Sequence, residues 1–257
     1  MFFALAYAWA WLLFVPMVML QGRLEWIAVA ALGPTIAAVL THRMATGNYR
    51  AFRFATTWPR TLGATAVGVA LMILSYVVLP ALATADPRTL NWSVLFSLAV
   101  YNYSTLLGGP LGEEPGWRGY ALPRLERAFG PVRASLVLGL LWTGWHLPLF
   151  LYPGWTSSPL WIYVLFLTGQ SVLLTYGTNL AHFGIVTPIA MHAAFNTVSR
   201  FLGGLFAGTG PSTPIRFELV MALCGLATAL VVILVTRGRL AYREQPAVGD
   251  ATAVAAP

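Results

Sequence analysis

Long apolar runs, each broken by a short polar or glycine–proline interval, set the pattern of this chain. Eight runs predict helices at about 2–20, 26–40, 62–83, 95–109, 135–152, 160–176, 184–199 and 217–235. Most approach the roughly 20 apolar residues that cross a hydrocarbon core. The breaks fall at Gln21-Gly22-Arg23, 41–60, Ala85-Asp86-Pro87, Gly109-Pro110, Pro153-Gly154, 177–183 and 208–214, where turn-forming or charged residues gather. The pattern predicts an all-α fold: a polytopic membrane helical bundle with about eight transmembrane helices. The third run is long enough to tilt. The fourth and seventh are short and interrupted by small or polar residues, as expected of helices that border a cavity.

Composition reinforces this reading. Of 257 residues, 58% are hydrophobic and only 9% charged, against about 25% charged in a soluble domain. Length leaves room for one transmembrane domain, 1–243, with its chemistry concentrated at about 95–200. The tail 244–257, rich in Ala, Pro, Val and Gly, reads as disordered. The first run lacks a basic n-region and a small-residue cleavage site, so it reads as a retained span.

All 15 basic residues are Arg, against 8 acids, for a net charge of +7. Threading the chain with its N-terminus inside places eleven Arg on one side and four on the other. The excess predicts a multi-pass protein of the cytoplasmic membrane with both termini in the cytoplasm. It also assigns the basic charge to topology and anionic lipid headgroups, with no nucleic-acid partner. The single Cys224 lies in an apolar run, which excludes an internal disulfide and a cysteine metal cluster.

Against this background the few ionisable groups in or beside apolar runs stand out. Each costs roughly 2.5–3.5 kcal/mol at membrane depth unless it faces a partner or a wet cavity. Glu113 and Glu114 are followed by Pro115 and, one turn on, by Arg118. Adjacent helical residues point about 100° apart. One carboxylate can therefore face a reaction centre while the other turns to a partner, for which Arg118 is the natural counter-ion. Pro115 predicts a helix start or a kink there. Trp142 and His146, at i and i+4, share a helical face, as do His192 and Asn196. The Ala residues between His192 and Asn196 leave room for a close neighbour. Trp145 and Trp155 read as interface or packing residues, and His42 and His182 as solvent-facing loop residues.

Together the clusters hold the parts of peptide hydrolysis. A Glu can activate water, a His can bind or orient it, and a second His with an Asn can hold a developing oxyanion. Gly-x-Ser-x-Gly, His-Glu-x-x-His and Walker-type motifs are absent from the sequence, so serine hydrolase, zincin and NTPase readings have no support.

In these residues the chain resembles the CAAX-protease and bacteriocin-processing family of intramembrane endopeptidases, the Abi or CPBP family, which includes the type 2 CAAX prenyl proteases. The family pattern Glu-Glu-x-x-x-Arg, Phe-x-x-x-His and His-x-x-x-Asn/Asp appears in order as Glu113-Glu114-x-x-x-Arg118, Trp142-x-x-x-His146 and His192-x-x-x-Asn196. One departure is Trp142 where Phe is usual. The resemblance implies an intramembrane endopeptidase acting on a membrane-associated or lipidated peptide. Glu113 would be the general base, His146 would polarise the water, and His192 with Asn196 would stabilise the oxyanion. Glu114 and Arg118 would orient the site. It leaves two versions of the chemistry: a metal-free, Glu-activated water, which we favour, or zinc held by Glu113, His146 and His192. Two other readings stand beside it: a non-proteolytic immunity or scaffold protein binding a peptide in the same polar cavity, and a small transporter with a Glu/His proton relay. The lack of internal repeats counts against the transporter. The absence of Lys with abundant Ala, Gly and Arg points to a GC-rich prokaryotic source.

Overall fold

The computed structural model describes residues 1–21, 26–84, 109–153, 155, 156, 158–206 and 213–244, with side chains at all of these except 198–206 and 213–216. The predicted run at 95–109, apart from Gly109, and the tail from 245 onward lie outside the described residues. Those described are helical, with one isolated bridge between Arg53 and Gly184.

The helices are α1 (Phe2–Met19), α2 (Trp26–Ala31), α3 (Gly33–Thr46), α4 (Trp58–Ile73) and α5 (Leu79–Thr84). They continue with α6 (Pro110–Glu114), α7 (Leu122–Phe129), α8 (Pro131–Trp145), α9 (Leu160–Leu180), α10 (Val186–Phe206) and α11 (Thr213–Val235). A π-helical stretch at Leu74–Val78 fuses α4 to α5, and another at Pro115–Ala121 fuses α6 to α7. Among the described residues, five segments are long and apolar enough to cross a membrane: Phe2–Met19, Trp26–Thr46, Trp58–Ala83, Leu160–Leu180 and Phe217–Val235. The chain is a helical membrane bundle.

Because both faces of such helices are apolar, hydropathy does not separate the packed face from the outer one. In α1 the buried face is Phe2, Ala6, Ala10, Phe14 and Met17, while Leu12, Val15 and Met19 point outward. Small residues let backbones approach, and large aliphatic ones face lipid. Helix α9 packs against α4, α8, α10 and α11. At its crossing with α11, a methyl on Gly169 would sit 3.0 Å from the backbone of Gly225.

Several boundaries differ from expectation. The second run breaks at Leu32, before Gly33-Pro34, then continues past residue 40 to Thr46, capped by Gly47 at φ 77°. His42 is consequently a buried helical residue, its Nε2 2.9 Å from Asn48 Oδ1, and not a solvent-facing loop group. The largest correction concerns residues 110–129, read as a connection after Gly109-Pro110. They form one continuous helical segment, with the Glu pair at its start. Pro110 fits at the first helical position, where its missing N–H is not needed. Pro115 does not end the helix either. Its backbone stays helical, and the ladder widens, with the Leu122 N–H bonding Trp117 O five residues back.

Candidate active site

The Glu pair is positioned by glycines. A methyl on Gly112 would lie 2.5 Å from Ala31 O, and one on Gly116 would lie 2.3 Å from Pro34 O. The bare faces of Gly112 and Gly116 thus let the helical segment lie directly against the α2–α3 junction. Thr35 Oγ1 adds a 2.6 Å hydrogen bond to Gly112 O, pinning the contact. Glu113, Glu114 and Arg118 are all buried, so each requires partners.

The two carboxylates diverge. Glu114 Oε1 accepts from Arg118 at 3.1 Å and from His192 Nδ1 at 2.7 Å. Glu113 turns the other way. Its Oε2 accepts the indole N–H of Trp142 at 2.6 Å, and its Oε1 faces the space above Gly109. A methyl built on Gly109 would be 3.1 Å from Glu113 Oε1, 3.5 Å from Asn196 Nδ2 and 3.7 Å from His192 Cε1. Groups from α6 and α10, some eighty residues apart in sequence, therefore border one small volume.

Trp142 is the centre of the arrangement. Besides holding Glu113, its ring lies 4.3 Å beneath the Arg118 guanidinium and 5.1 Å, edge to face, from His192. Its carbonyl accepts from His146 Nδ1 at 2.8 Å. Pro148 disfavours helical backbone just before it, and α8 gives way at His146 to a 3₁₀ turn over Leu147–Leu151. His146 sits at that junction among Trp145, Trp155 and Tyr163, at ring-centroid distances of 4.7, 5.9 and 5.6 Å.

The hydrogen bonds fix the tautomers. A carbonyl can only accept, so His146 carries its proton on Nδ1 and presents a lone pair at Nε2. The Glu114 carboxylate likewise takes the Nδ1 proton of His192. His192 then offers a lone pair at Nε2 when neutral and an N–H there when protonated.

Among the described residues, no three His, Cys, Asp or Glu side chains are grouped so that they could hold a metal ion.

Trp142 was expected as structural support, but sequence reasoning missed three contacts. Trp155 and Tyr163 line His146, and the Trp142 indole nitrogen reaches Glu113. Only the last carried a signal, the exchange of a Phe for a residue with an N–H donor.

A bundle in which Glu113, His192 and Asn196 border one volume, with His146 one turn along from Trp142, defines the class as a helical membrane protein with a polar interior site. Residues 88–198 match the family model described as type II CAAX prenyl endopeptidase, Rce1-like, and that stretch contains all three motifs. The CAAX prenyl protease 2 of Methanococcus maripaludis is 46% identical over 37 residues. The match spans 14% of this chain and 14% of that relative.

Proposed function

We propose that the protein is an intramembrane endopeptidase that hydrolyses a peptide bond of a membrane-associated or lipidated peptide. One observation carries this reading: Glu113 Oε1, Asn196 Nδ2 and the His192 ring border the same volume beside Gly109. A carboxylate oxygen and an amide donor on one small space are what a water attack on a carbonyl requires.

In this reading Glu113 takes a proton from water through Oε1 while Trp142 holds Oε2. The water oxygen bonds to the scissile carbonyl carbon. Asn196 Nδ2 and, in its protonated form, His192 Nε2 donate to the oxyanion. Glu114 holds the ring in place by accepting from Nδ1. The lone pair of His146 Nε2 accepts a hydrogen of the water or of the leaving group. As the C–N bond breaks, Glu113 returns its proton to the departing amine. No step of this reading is routed through zinc. Purified protein is expected to keep full cleavage after exhaustive chelation. Tightly bound stoichiometric zinc with chelator-sensitive cleavage contradicts that.

The excess of Arg on one set of loops supports an orientation in the cytoplasmic membrane with both termini inside. The test of the function is product mass spectrometry in proteoliposomes offered a prenylated C-terminal peptide, a bacteriocin leader and a membrane-anchored peptide. Defined products from wild type that vanish in His146→Ala and His192→Ala support the reading. Products unchanged in both variants overturn it, and a peptide retained but never cut favours the binding protein.

A further inference from the structure

A second polar assembly lies apart from the Glu/His site. The 50–56 segment, the start of α4, the α9–α10 turn and the chain after α11 meet there. Arg53 bridges Gly184, and the N–H groups of Ile185 and Val186 bond the carbonyls of Arg53 and Phe54. Arg60 Nη1 lies 3.3 Å from His182 Nδ1. Tyr242 packs edge-on against Phe183, with ring centroids 6.2 Å apart, and so brings in Arg243.

The turn that gathers them is strained. His182 and Phe183, neither of them glycine, have φ of 51° and 65°. Such strain persists only where the surroundings hold it, and here buried Phe183 and the pairing with 53–54 do so. The result crowds positive charge. Burial first, and then Arg60, Arg243 and Arg53, hold the His182 imidazole below its ordinary range. Exposed Phe54 and Trp58 flank Arg53 and Arg60, giving the aromatic-plus-cationic composition of a membrane interface.

We propose that Arg53, Arg60, Arg243 and His182 form a binding site for the phosphate of an anionic phospholipid headgroup, with Phe54 and Trp58 set against its acyl region. Bound phosphate lowers the repulsion among these groups, and His182 gains a proton as it binds. The acids beside the assembly are Glu244, next to Arg243 in the chain, and Glu126, which faces Tyr242.

The test uses the full chain, with native mass spectrometry and the His182 Cε1–H NMR titration read in parallel. The probes are phosphatidylglycerol, phosphatidylcholine and inorganic phosphate. Wild type is expected to retain phosphatidylglycerol, and the His182 midpoint is expected to rise with it but not with phosphatidylcholine. The double variant Arg60→Gln/Arg243→Gln, at exposed positions, is expected to retain it roughly 30-fold more weakly. Equal retention by that variant overturns the proposal, as does a His182 midpoint in wild type that phosphatidylglycerol leaves unmoved. An equal rise with inorganic phosphate overturns the lipid assignment. Neither readout involves peptide cleavage, so the outcome stands apart from that of the peptidase reading.

Discussion

At the residue scale, Trp142 separates two kinds of contribution that a large aromatic can make. The usual Phe at this position would supply the ring under Arg118 and beside His192, but no donor for Glu113. Trp142→Phe is therefore expected to leave folding intact while removing a hydrogen bond to a charged group. Such bonds are worth about 1.5–3 kcal/mol, so the melting temperature should fall, and cleavage should fall roughly 10- to 150-fold at temperatures where the variant is still folded. A rate equal to wild type in single-turnover assays contradicts the role. Glu114 behaves differently because it is tied into the fold. Replacing it by Ala strands the buried Arg118, at an expected cost of about 3–5 kcal/mol. The loss should appear as reduced folded yield and melting temperature, not only as lost activity.

At the element scale, the 110–129 helix depends on two missing side chains. With Cβ atoms that would fall 2.5 and 2.3 Å from backbone oxygens, Gly112→Ala and Gly116→Ala must push the segment off the α2–α3 junction. Overpacking of this kind costs about 1–3 kcal/mol, and the Glu pair moves with the helix. Both variants should lose stability and cleavage together, and a structure of either with Glu113 undisplaced refutes this. The same segment carries a pH-sensitive contact at its far end. Glu126 Oε1 accepts from Asn179 Nδ2 at 2.7 Å, and that nitrogen also donates to Leu240 O at 3.0 Å. Burial pushes the Glu126 carboxyl up to about 8, the amide bond pulling weakly the other way. Its folded pKa thus exceeds the unfolded value of about 4.3. The stability it contributes is complete below that value and is lost as pH rises toward 8. The melting temperature should fall across this window in wild type and stay flatter in Glu126→Gln; parallel curves contradict the assignment.

At the scale of the whole molecule, hydrophobic runs were enough to predict a helical membrane bundle, because each span must satisfy its own backbone in lipid. The family likeness was equally legible, in three short motifs whose order is more specific than any one of them. Side-chain spacing also foretold that Arg118 pairs with one of the two Glu, and the partner is Glu114, at i and i+4. Other features were hidden for physical reasons. Apolarity ceases to mark an interior when the solvent is also apolar, so the buried face of α1 is not legible in its residue types: Ala6 and Ala10 are buried while Ala4 and Ala8 are exposed. Gly109-Pro110 and Pro115 look like helix breakers, yet one suits a helix start and the other is absorbed by a π-helical ladder. The aromatic walls around His146 come from Trp155 and Tyr163, which long-range packing alone brings there.

The central claim is that the Glu113 carboxylate performs the chemistry in this shared interior space. The most direct measurement is the cleavage rate of a membrane-anchored peptide by Glu113→Gln, which keeps size and the acceptor for Trp142 but removes the base. Melting temperature read alongside verifies that the variant is folded. The expected outcome is a folded protein whose cleavage drops by about 10²–10⁴. Cleavage at the wild-type rate by a folded Glu113→Gln protein would contradict it.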